Sequence, residues 1–401
     1  MGLLAALLLF AACPSPTARE VATPVEIEPQ ASAPAQVQAA PEFGFQCSRE
    51  PVELFPSPHK TWDIALSNDG ELVAATDADE VAIWELSTGV RRQTLGGELD
   101  GPIRLLAFSP SGRRLAAVGA EILIVWNLDD GSVARRVSLW RYQHHLVYLE
   151  LDGREWLVVD RALYAKVPQP PVLVVEVDGD ALLSPFGSER GSLQIAVARD
   201  RLAVVRDGEP AAVWLGPEHE PLELSDAVGP VAISTDGRIV ASTGYRGEVS
   251  TWDTQTGAKL GHLRDEGTKS RSAAVALSPD GHRVAVLYDD GGGMLWDTST
   301  GAVVAPLSSP VGLAAILDFS HDGRYVLTGV DGILDHTMAP GPAPVWLSDA
   351  FDGAWSREFA IGDFVHGLEL ARDGQLLAVA GYASAQLWCL PAFVDETPAD
   401  P

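Results

Sequence analysis

Few side chains in this chain have the types and spacing that catalysis or metal binding requires. The nine histidines occur singly except for His144 and His145. Adjacent strand residues point to opposite faces, so this pair cannot easily bind one ion. The three cysteines fit no zinc pattern, and no nucleophile elbow, phosphate-binding loop or His-Glu-x-x-His motif occurs. We therefore predict no catalytic residues, no metal site and no cofactor.

Carboxylates dominate the charge of the chain. Its 55 Asp and Glu residues outnumber the 28 Lys and Arg residues, which gives a formal net charge of −27. Such a surface repels nucleic acid phosphates and favours a basic protein partner or divalent cations. Solubility alone is the alternative explanation of this charge.

A recurring sequence motif indicates which structural elements carry the acidic residues. A turn of the form Ser/Ala-x-Asp-Gly is followed 14 or 15 residues later by a tryptophan. Asp-Gly supplies the positive φ of a tight hairpin, and the runs around it are rich in apolar residues. A repeat of about 40 residues made of strands and tight turns predicts a β-propeller. The clearest pairs are Gly70 with Trp84, Gly112 with Trp126, Gly237 with Trp252, Gly281 with Trp296, and Gly374 with Trp388.

Eight copies of this repeat fill the 332 residues from Trp62 to Phe393. The third and fourth copies are degraded, with Glu176 in the tryptophan position of the third. The seventh copy reaches Trp346 late, after a long loop at 329–344. We predict an all-β, eight-bladed propeller, with seven blades as the alternative. Because the tryptophans keep a strict spacing, we interpret them as packing units rather than a ligand site.

The last copy ends after its third strand. Residues 43–55 precede the first copy, are strand-like and have no blade of their own. We predict that they supply the missing fourth strand and close the ring, which removes exposed sheet edges. The propeller then spans residues 43–394, followed by an acidic tail at 395–401.

The turns SPDG and STDG, the strand endings Leu295-Trp296-Asp297 and Thr251-Trp252-Asp253, and the Thr-Gly turns resemble WD40-type repeats. The resemblance covers residues 61–393 and is loose in the third and fourth copies. The Gly-His pair of that family is nearly absent. WD40-like propellers usually serve as binding scaffolds, so the resemblance implies a scaffold that binds another protein.

The N-terminus resembles a bacterial lipoprotein signal. Residues 1–13 are a short apolar run that ends in Phe-Ala-Ala-Cys, although no Lys or Arg precedes it. The resemblance implies that Cys13 carries the lipid. Residues 14–42 are rich in Pro and Ala and predict a disordered tether. We therefore expect an exported cell-envelope lipoprotein, on the periplasmic face or the cell surface.

With Cys13 lipidated, two cysteines remain. Cys47 lies in the predicted closing strand, and Cys389 lies in the third strand of the last blade, its expected neighbour. An exported protein occupies a compartment where disulfides persist, so we predict a Cys47–Cys389 bond. Two unpaired, buried cysteines are the alternative.

The loops that join second and third strands should all open on one face. Their acidic residues predict a docking rim for a basic partner segment or for cations. The alternative is that Asp residues merely form solvated turns. The long loop at 329–344 predicts a recognition loop without a metal ion, and a cation held by Asp331, Asp335 and His336 is the alternative. The predicted partner-binding residues are Asp77, Asp79, Glu121, Asp207, Glu248, Asp289, Asp290, Asp331, Asp335 and His336.

Three functions remain open from the sequence. The first is a monomeric, lipid-anchored, non-catalytic scaffold for a protein partner, with no nucleic acid and no membrane contact except through the lipid. The second is an assembly factor similar to the propeller lipoprotein that helps insert outer-membrane β-barrels. The third is a propeller hydrolase or quinone-dependent dehydrogenase. The starts of the first strands are mostly apolar or small, which disfavours an enzyme.

Overall fold

Each copy of the repeat folds into a four-stranded antiparallel sheet, and the eight sheets form a ring. The described part of the chain contains strands and no helix. The predicted signal, tether and acidic tail lie outside it, as do Cys13 and Cys47. The structure, a computed structural model, describes residues 51–56, 61–97, 101–139, 143, 145–160, 172–186, 193–198, 200–206, 209–244, 247–264, 270–308, 315–330, 343–353, 356–361, 365–371, 374–381 and 384–390.

The recurring Ser-x-Asp-Gly motif folds as a hydrogen-bonded turn between the first and second strands of a blade. In blade 1, Ser67 Oγ donates to Asp69 Oδ1 over 2.5 Å and accepts from the backbone N–H of Leu72 over 2.8 Å. Gly70 has a φ of +72°, a left-handed conformation that favours glycine. The same serine-to-aspartate hydrogen bond occurs in the turns at Ser234, Ser278 and Ser320. The aspartates of the motif therefore accept hydrogen bonds within their own turns.

The strands are numbered in chain order. The first is β1 (Val52–Pro56). Blades 1 and 2 contain β2 (Ile64–Leu66), β3 (Leu72–Asp77), β4 (Glu80–Glu85), β5 (Arg91–Gly96), β6 (Leu105–Phe108), β7 (Arg114–Val118), β8 (Ile122–Asn127) and β9 (Val133–Ser138). Blades 3 and 4 contain β10 (Leu146–Leu151), β11 (Arg154–Asp160), β12 (Val172–Glu176), β13 (Leu182–Leu183), β14 (Leu193–Ala198), β15 (Arg201–Arg206), β16 (Ala211–Trp214) and β17 (Leu222–Leu224).

The second half of the ring repeats this order. Blades 5 and 6 contain β18 (Val231–Ile233), β19 (Ile239–Thr243), β20 (Val249–Asp253), β21 (Lys259–Leu263), β22 (Ser272–Leu277), β23 (Arg283–Tyr288), β24 (Gly292–Asp297) and β25 (Val303–Ser308). Blades 7 and 8 contain β26 (Ala315–Phe319), β27 (Tyr325–Val330), β28 (Ala343–Asp349), β29 (Ser356–Ile361), β30 (Val365–Leu370), β31 (Leu376–Gly381) and β32 (Ser384–Cys389).

β1 completes blade 8. It pairs antiparallel with β32, with Val52 opposite Leu387 and Pro56 opposite Ser384, so the order of the sheet is β1-β32-β31-β30. The predicted closure by an N-terminal strand is confirmed, and so is the count of eight blades. The alternative of seven blades is wrong.

The core lies between the blades. The described residues form eight apolar clusters, and each is shared by two neighbouring blades. The cluster between blades 1 and 2 joins Ile83 to Trp126, and the cluster between blades 8 and 1 joins Leu387 to Trp84. Both faces of a blade are therefore buried, which explains why its strands are apolar on both sides.

Six repeat tryptophans are buried packing residues, as predicted. Each lies on the third strand, and in blade 1 Trp84 is opposite Val73. In blade 3 the pair is inverted, because Trp156 on the second strand lies opposite Glu176. Our assignment of Trp346 to the repeat position is wrong, since Ser348 occupies that position in blade 7 and Trp346 lies two residues earlier. The six are Trp84, Trp126, Trp214, Trp252, Trp296 and Trp388.

Truncation of the closing strand should weaken the ring. Leu54 of β1 is buried in the cluster between blades 8 and 1. Leu54→Ala should lower the free energy of unfolding by about 2–4 kcal/mol, because it leaves a cavity at the closure. Urea denaturation measures this change. Glu53→Ala, an exposed position on the same strand, is the control and should change stability by less than about 0.5 kcal/mol. Equal effects would contradict a packed closing strand.

Candidate functional site

The two ends of the blades form two different faces. In an antiparallel blade, the turns from first to second and from third to fourth strands lie at one end, which we call the turn face. The loops from second to third strands and the connections between blades lie at the other end, which we call the loop face. Candidate sites lie in the channel that joins the two faces and at the loop face.

The first strands of the blades surround a central channel. Neighbouring first strands contact one another around the ring, as β2 does with β6 and β22 with β26. Three cavities share lining residues and are parts of this channel, because Glu369 lines two of them and Tyr148 and His321 each line the wall and the mouth. The channel is a concave surface, and concave surfaces are the usual ligand sites of proteins.

The channel opens at the turn face through a mouth of about 800 Å³. Six blades contribute to its lining. Glu150 is exposed there, whereas Asp236 and Asp280 each accept the hydroxyl hydrogen of a serine in their own turn. The lining includes one residue from each of these blades, in chain order: Asn68, Pro110, Glu150, Asp236, Asp280 and His321.

Three carboxylates line the wall of the channel, and we call them the acidic arc: Asp63, Asp318 and Glu369. They belong to blades 1, 7 and 8, which are consecutive around the closed ring. Sequence reasoning missed them because the first strands are mostly apolar or small. A comparison of the copies would have found two of them, since Asp318 and Glu369 occupy a register position that is alanine in five other blades and Tyr148 in blade 3. The alanines are Ala65, Ala107, Ala196, Ala232 and Ala276.

Two carboxylates of the acidic arc connect neighbouring blades. Glu369 Oε2 in blade 8 accepts the backbone N–H of Leu66 in blade 1 over 2.7 Å. Asp63 Oδ2 in blade 1 accepts the backbone N–H of Leu106 in blade 2 over 2.8 Å. These N–H groups lie on the channel edges of first strands, where no further strand pairs with them. The carboxylates therefore satisfy donors that the sheets leave open.

The remaining contacts of the acidic arc are local. Asp63 Oδ1 accepts the N–H of Ile64 over 2.9 Å, and Asp318 Oδ1 accepts the N–H of Phe319 over 2.8 Å. A methyl group at Gly367 in β30 would lie 2.7 Å from Asp63 Oδ1. Glycine at this position leaves room for the Asp63 carboxylate.

The environment of the acidic arc favours the neutral acids. Desolvation within the protein raises the pKa of Asp63 to about 7, against the hydrogen bonds from Leu106 and Ile64. Desolvation raises the pKa of Glu369 to about 8, and the charges of Asp63 and Asp318 add to this increase. Desolvation also raises the pKa of Asp318 to about 6, although this residue is exposed toward the channel. These groups can therefore exchange protons near neutral pH.

A histidine and a carboxylate form a pair near the loop face in blade 3. His145 Nδ1 is 2.6 Å from Asp160 Oδ2, and the backbone N–H of His145 donates to Asp160 Oδ1 over 2.7 Å. Asp160 is buried, whereas the imidazole is half exposed. The carboxylate fixes the start of β10 to the end of β11, so the pair is a structural brace. His144 lies outside the described residues.

The described members of the predicted acidic rim lie at the loop face, spread around the ring, and their role in binding stays a prediction. Asp77, Asp79, Glu121, Glu248, Asp289 and Asp290 lie at or beside the loops from second to third strands of blades 1, 2, 5 and 6. Among described residues, no group of three or more His, Cys, Asp or Glu side chains is arranged to hold a metal ion. Asp207, Asp331, Asp335 and His336 lie outside the described residues.

The turn face and the loop face use their acidic residues differently. Asp290 of the rim accepts a hydrogen bond from the backbone N–H of Gly292 in its own turn over 3.1 Å and another from Ser270 Oγ over 2.5 Å, and the bond from Ser270 is the main cause that lowers its pKa. The side chains of Asp79 and Asp289 accept no hydrogen bond from any described residue. Part of the rim is thus available to a partner.

The predicted disulfide and the presence of membrane-spanning helices are the remaining points. Cys389 is buried at the end of β32, and its predicted partner Cys47 is not among the described residues, so the bond stays a prediction. Within the described residues, no helix is long and apolar enough to cross a membrane.

Comparison with known proteins supports the fold. No protein-family model and no curated protein sequence matches the chain. Among solved structures, the chain is similar to one described as "Structure of Dos1 propeller", with a TM-score of 0.62 and 13% sequence identity. The match covers 86% of this chain and 95% of that chain. At this identity the likeness shows a β-propeller fold alone.

The contact between Gly367 and Asp63 can be tested by a double-mutant cycle. Gly367→Ala should destabilise the protein by about 1–3 kcal/mol, because the methyl group displaces a carboxylate that holds two backbone donors. The cost should fall in an Asp63→Ala background, where the contact is already absent. Urea denaturation measures all four proteins. Gly329→Ala, whose methyl group would lie 3.5 Å from its nearest neighbour, is the tolerated control. An unchanged cost in the Asp63→Ala background would refute the contact.

Proposed function

We propose that this protein is an exported, lipid-anchored, non-catalytic scaffold that binds a protein partner carrying a basic segment. The observation that carries the proposal is the acidic rim, which places carboxylates from four blades at one end of a rigid ring. The β-propeller fold supports it, since this fold commonly presents loops for protein binding. The rim has the charge that a basic segment would recognise.

The partner would bind across several loops rather than in one pocket. Asp79 and Glu121 are exposed and come from the adjacent blades 1 and 2. Asp289 and Asp290 come from blade 6. Exposed charge pairs contribute only about 0.2–1 kcal/mol each, so a useful affinity needs several of them together. A partner with spaced Lys or Arg residues meets this requirement.

Export and anchoring rest on the N-terminal sequence. The apolar run that ends at Cys13 resembles a lipoprotein signal, and the Pro- and Ala-rich residues 14–42 would act as a tether. A lipid on Cys13 would hold the propeller at a membrane while the tether leaves its faces accessible.

Site-specific cross-linking should locate the docking face. A photoreactive amino acid at Asp79 or Glu121 should trap a discrete partner in intact cells, because both positions are exposed on the loop face. The same amino acid at Glu71, an exposed residue beside the turn face of blade 1, is the matched control and should trap none. The double variant Asp289→Lys/Glu121→Lys should reduce the adduct formed at Asp79 at least about fivefold. Equal adducts from both faces, or an adduct that charge reversal leaves unchanged, would contradict docking at the rim.

A disulfide between Cys47 and Cys389 should form in the exported protein. The pairing of β1 with β32 supports this proposal, because Cys47 lies five residues before β1 and Cys389 ends β32. The native protein should be lighter by two hydrogen atoms before reduction, as measured by mass spectrometry. Cys389→Ser should lower stability by on the order of 5 kcal/mol in the chain-entropy model of so long a loop. Reaction of both cysteines with a thiol reagent in the native exported protein would show that the bond is absent.

A further inference from the structure

The acidic arc lies where the ring closes. Blade 8 is completed by β1, from the other end of the chain, and the next blade is blade 1. Glu369 connects these two blades through the N–H of Leu66. The Asp63 carboxylate lies close to Gly367 of blade 8. It also accepts the N–H groups of Ile64 in blade 1 and Leu106 in blade 2, so it spans the same junction. The first strands at the closure are therefore joined through carboxylates.

Few positive groups face the acidic arc. No described Lys or Arg side chain lies within ion-pair distance of Asp63, Asp318 or Glu369. Arg104 directly precedes β6 in blade 2. Its guanidinium lies over the ring of Trp62, the residue before Asp63, at 5.3 Å from the ring centroid. The charges of the arc are thus not neutralised by basic side chains of the described chain.

The other titratable groups facing the channel are few. His321, in the turn after β26, lines the same stretch of wall as Asp318 and Glu369. Tyr148, on the opposite side, has its pKa raised by desolvation and stays neutral. Glu150, Asp236 and Asp280 at the mouth add further negative charge. Among the described residues that line these three cavities, His321 is the one histidine, and no Lys or Arg is present.

We propose that closure of the propeller is linked to proton binding by the acidic arc, so that the ring is more stable at mildly acidic pH than at mildly alkaline pH. In the neutral form, the carboxyl oxygens still accept the N–H groups of Leu66 and Leu106 without placing like charges side by side. In the ionised form, up to three negative charges share a channel wall without a basic neighbour, which weakens the closure.

The sign of the pH dependence follows from the pKa values. In the unfolded chain these groups ionise near pH 4, whereas in the folded chain their pKa values are about 6, 7 and 8. Between these limits the folded chain binds more protons than the unfolded chain. Stability is therefore greatest on the acidic side of this range and falls as the pH rises through the folded pKa values.

Urea unfolding of the full chain at several values between pH 5 and pH 8.5 tests this inference. The equilibrium constant for unfolding should rise by up to about tenfold per pH unit for each group that keeps its proton only in the folded chain. The double variant Asp318→Asn/Glu369→Gln should lose most of this slope. Glu71→Gln/Asp79→Asn removes two exposed carboxylates and should keep it. His321→Gln should also keep it.

Three outcomes would overturn the inference: a flat pH profile in the wild-type protein, an unchanged slope in the Asp318→Asn/Glu369→Gln variant, or a slope that His321→Gln removes. A second measurement does not depend on reversible unfolding. Carboxyl ¹³C NMR should show three carboxyl groups that titrate above pH 5.5 in the folded protein, and two of these transitions should vanish in the double variant. Titration of all wild-type carboxyl groups below pH 5 would equally overturn it.

Local exchange places the effect at the closure. After correction for the intrinsic rate, hydrogen exchange of the Leu66 and Leu106 amides should lose protection between pH 6 and pH 8.5 more steeply than that of Val240 in blade 5. A uniform loss of protection would show that the whole propeller, rather than its closure, responds to pH, and would overturn this assignment.

Discussion

The burial of both faces of every blade is the constraint on which the rest of the structure depends. A blade such as β2–β5 is apolar on two sides, so it requires two neighbours, and a row of such blades would leave two apolar ends exposed. A closed ring satisfies this requirement for all of them. The apolar cluster between blades 8 and 1 is the one that joins the two ends of the chain, with Leu54 of β1 among its members. Closure by β1 and the channel follow from this demand.

At the channel, apolar packing no longer satisfies the first strands. First strands have apolar neighbours on their faces, but their inner edges carry N–H groups that no strand pairs with. At Leu66 and Leu106 carboxylates accept these groups. The chain thus places ionisable groups in a desolvated position beside its own closure, and this placement raises their pKa values. At the loop face, by contrast, exposed carboxylates such as Asp79 remain in contact with solvent and available for binding.

Much of the fold could be predicted because the signals are local. Asp-Gly turns, apolar runs and the tryptophan interval act within one copy, and they were sufficient to count even the degraded blade in which Glu176 replaces the tryptophan. Blade 7 shows the limit of this approach. Twelve residues lie between its second and third strands, so spacing could not reveal that Ser348, and not Trp346, lies opposite Val326. Register depends on hydrogen bonds between strands, and an insertion of unusual length in the sequence hides it.

The sequence by itself determined the fold class, the number of blades and the strand that closes the ring, because each is encoded by short-range turns and by one missing strand. It also located the acidic loops of the rim. Only the tertiary structure decided which carboxylates meet. Asp63, Asp318 and Glu369 are as many as 306 positions apart in the chain and share a channel wall because the ring brings blades 7, 8 and 1 together. The raised pKa values of Asp63 and Glu369 arise from desolvation by blades distant in sequence, which no local pattern records.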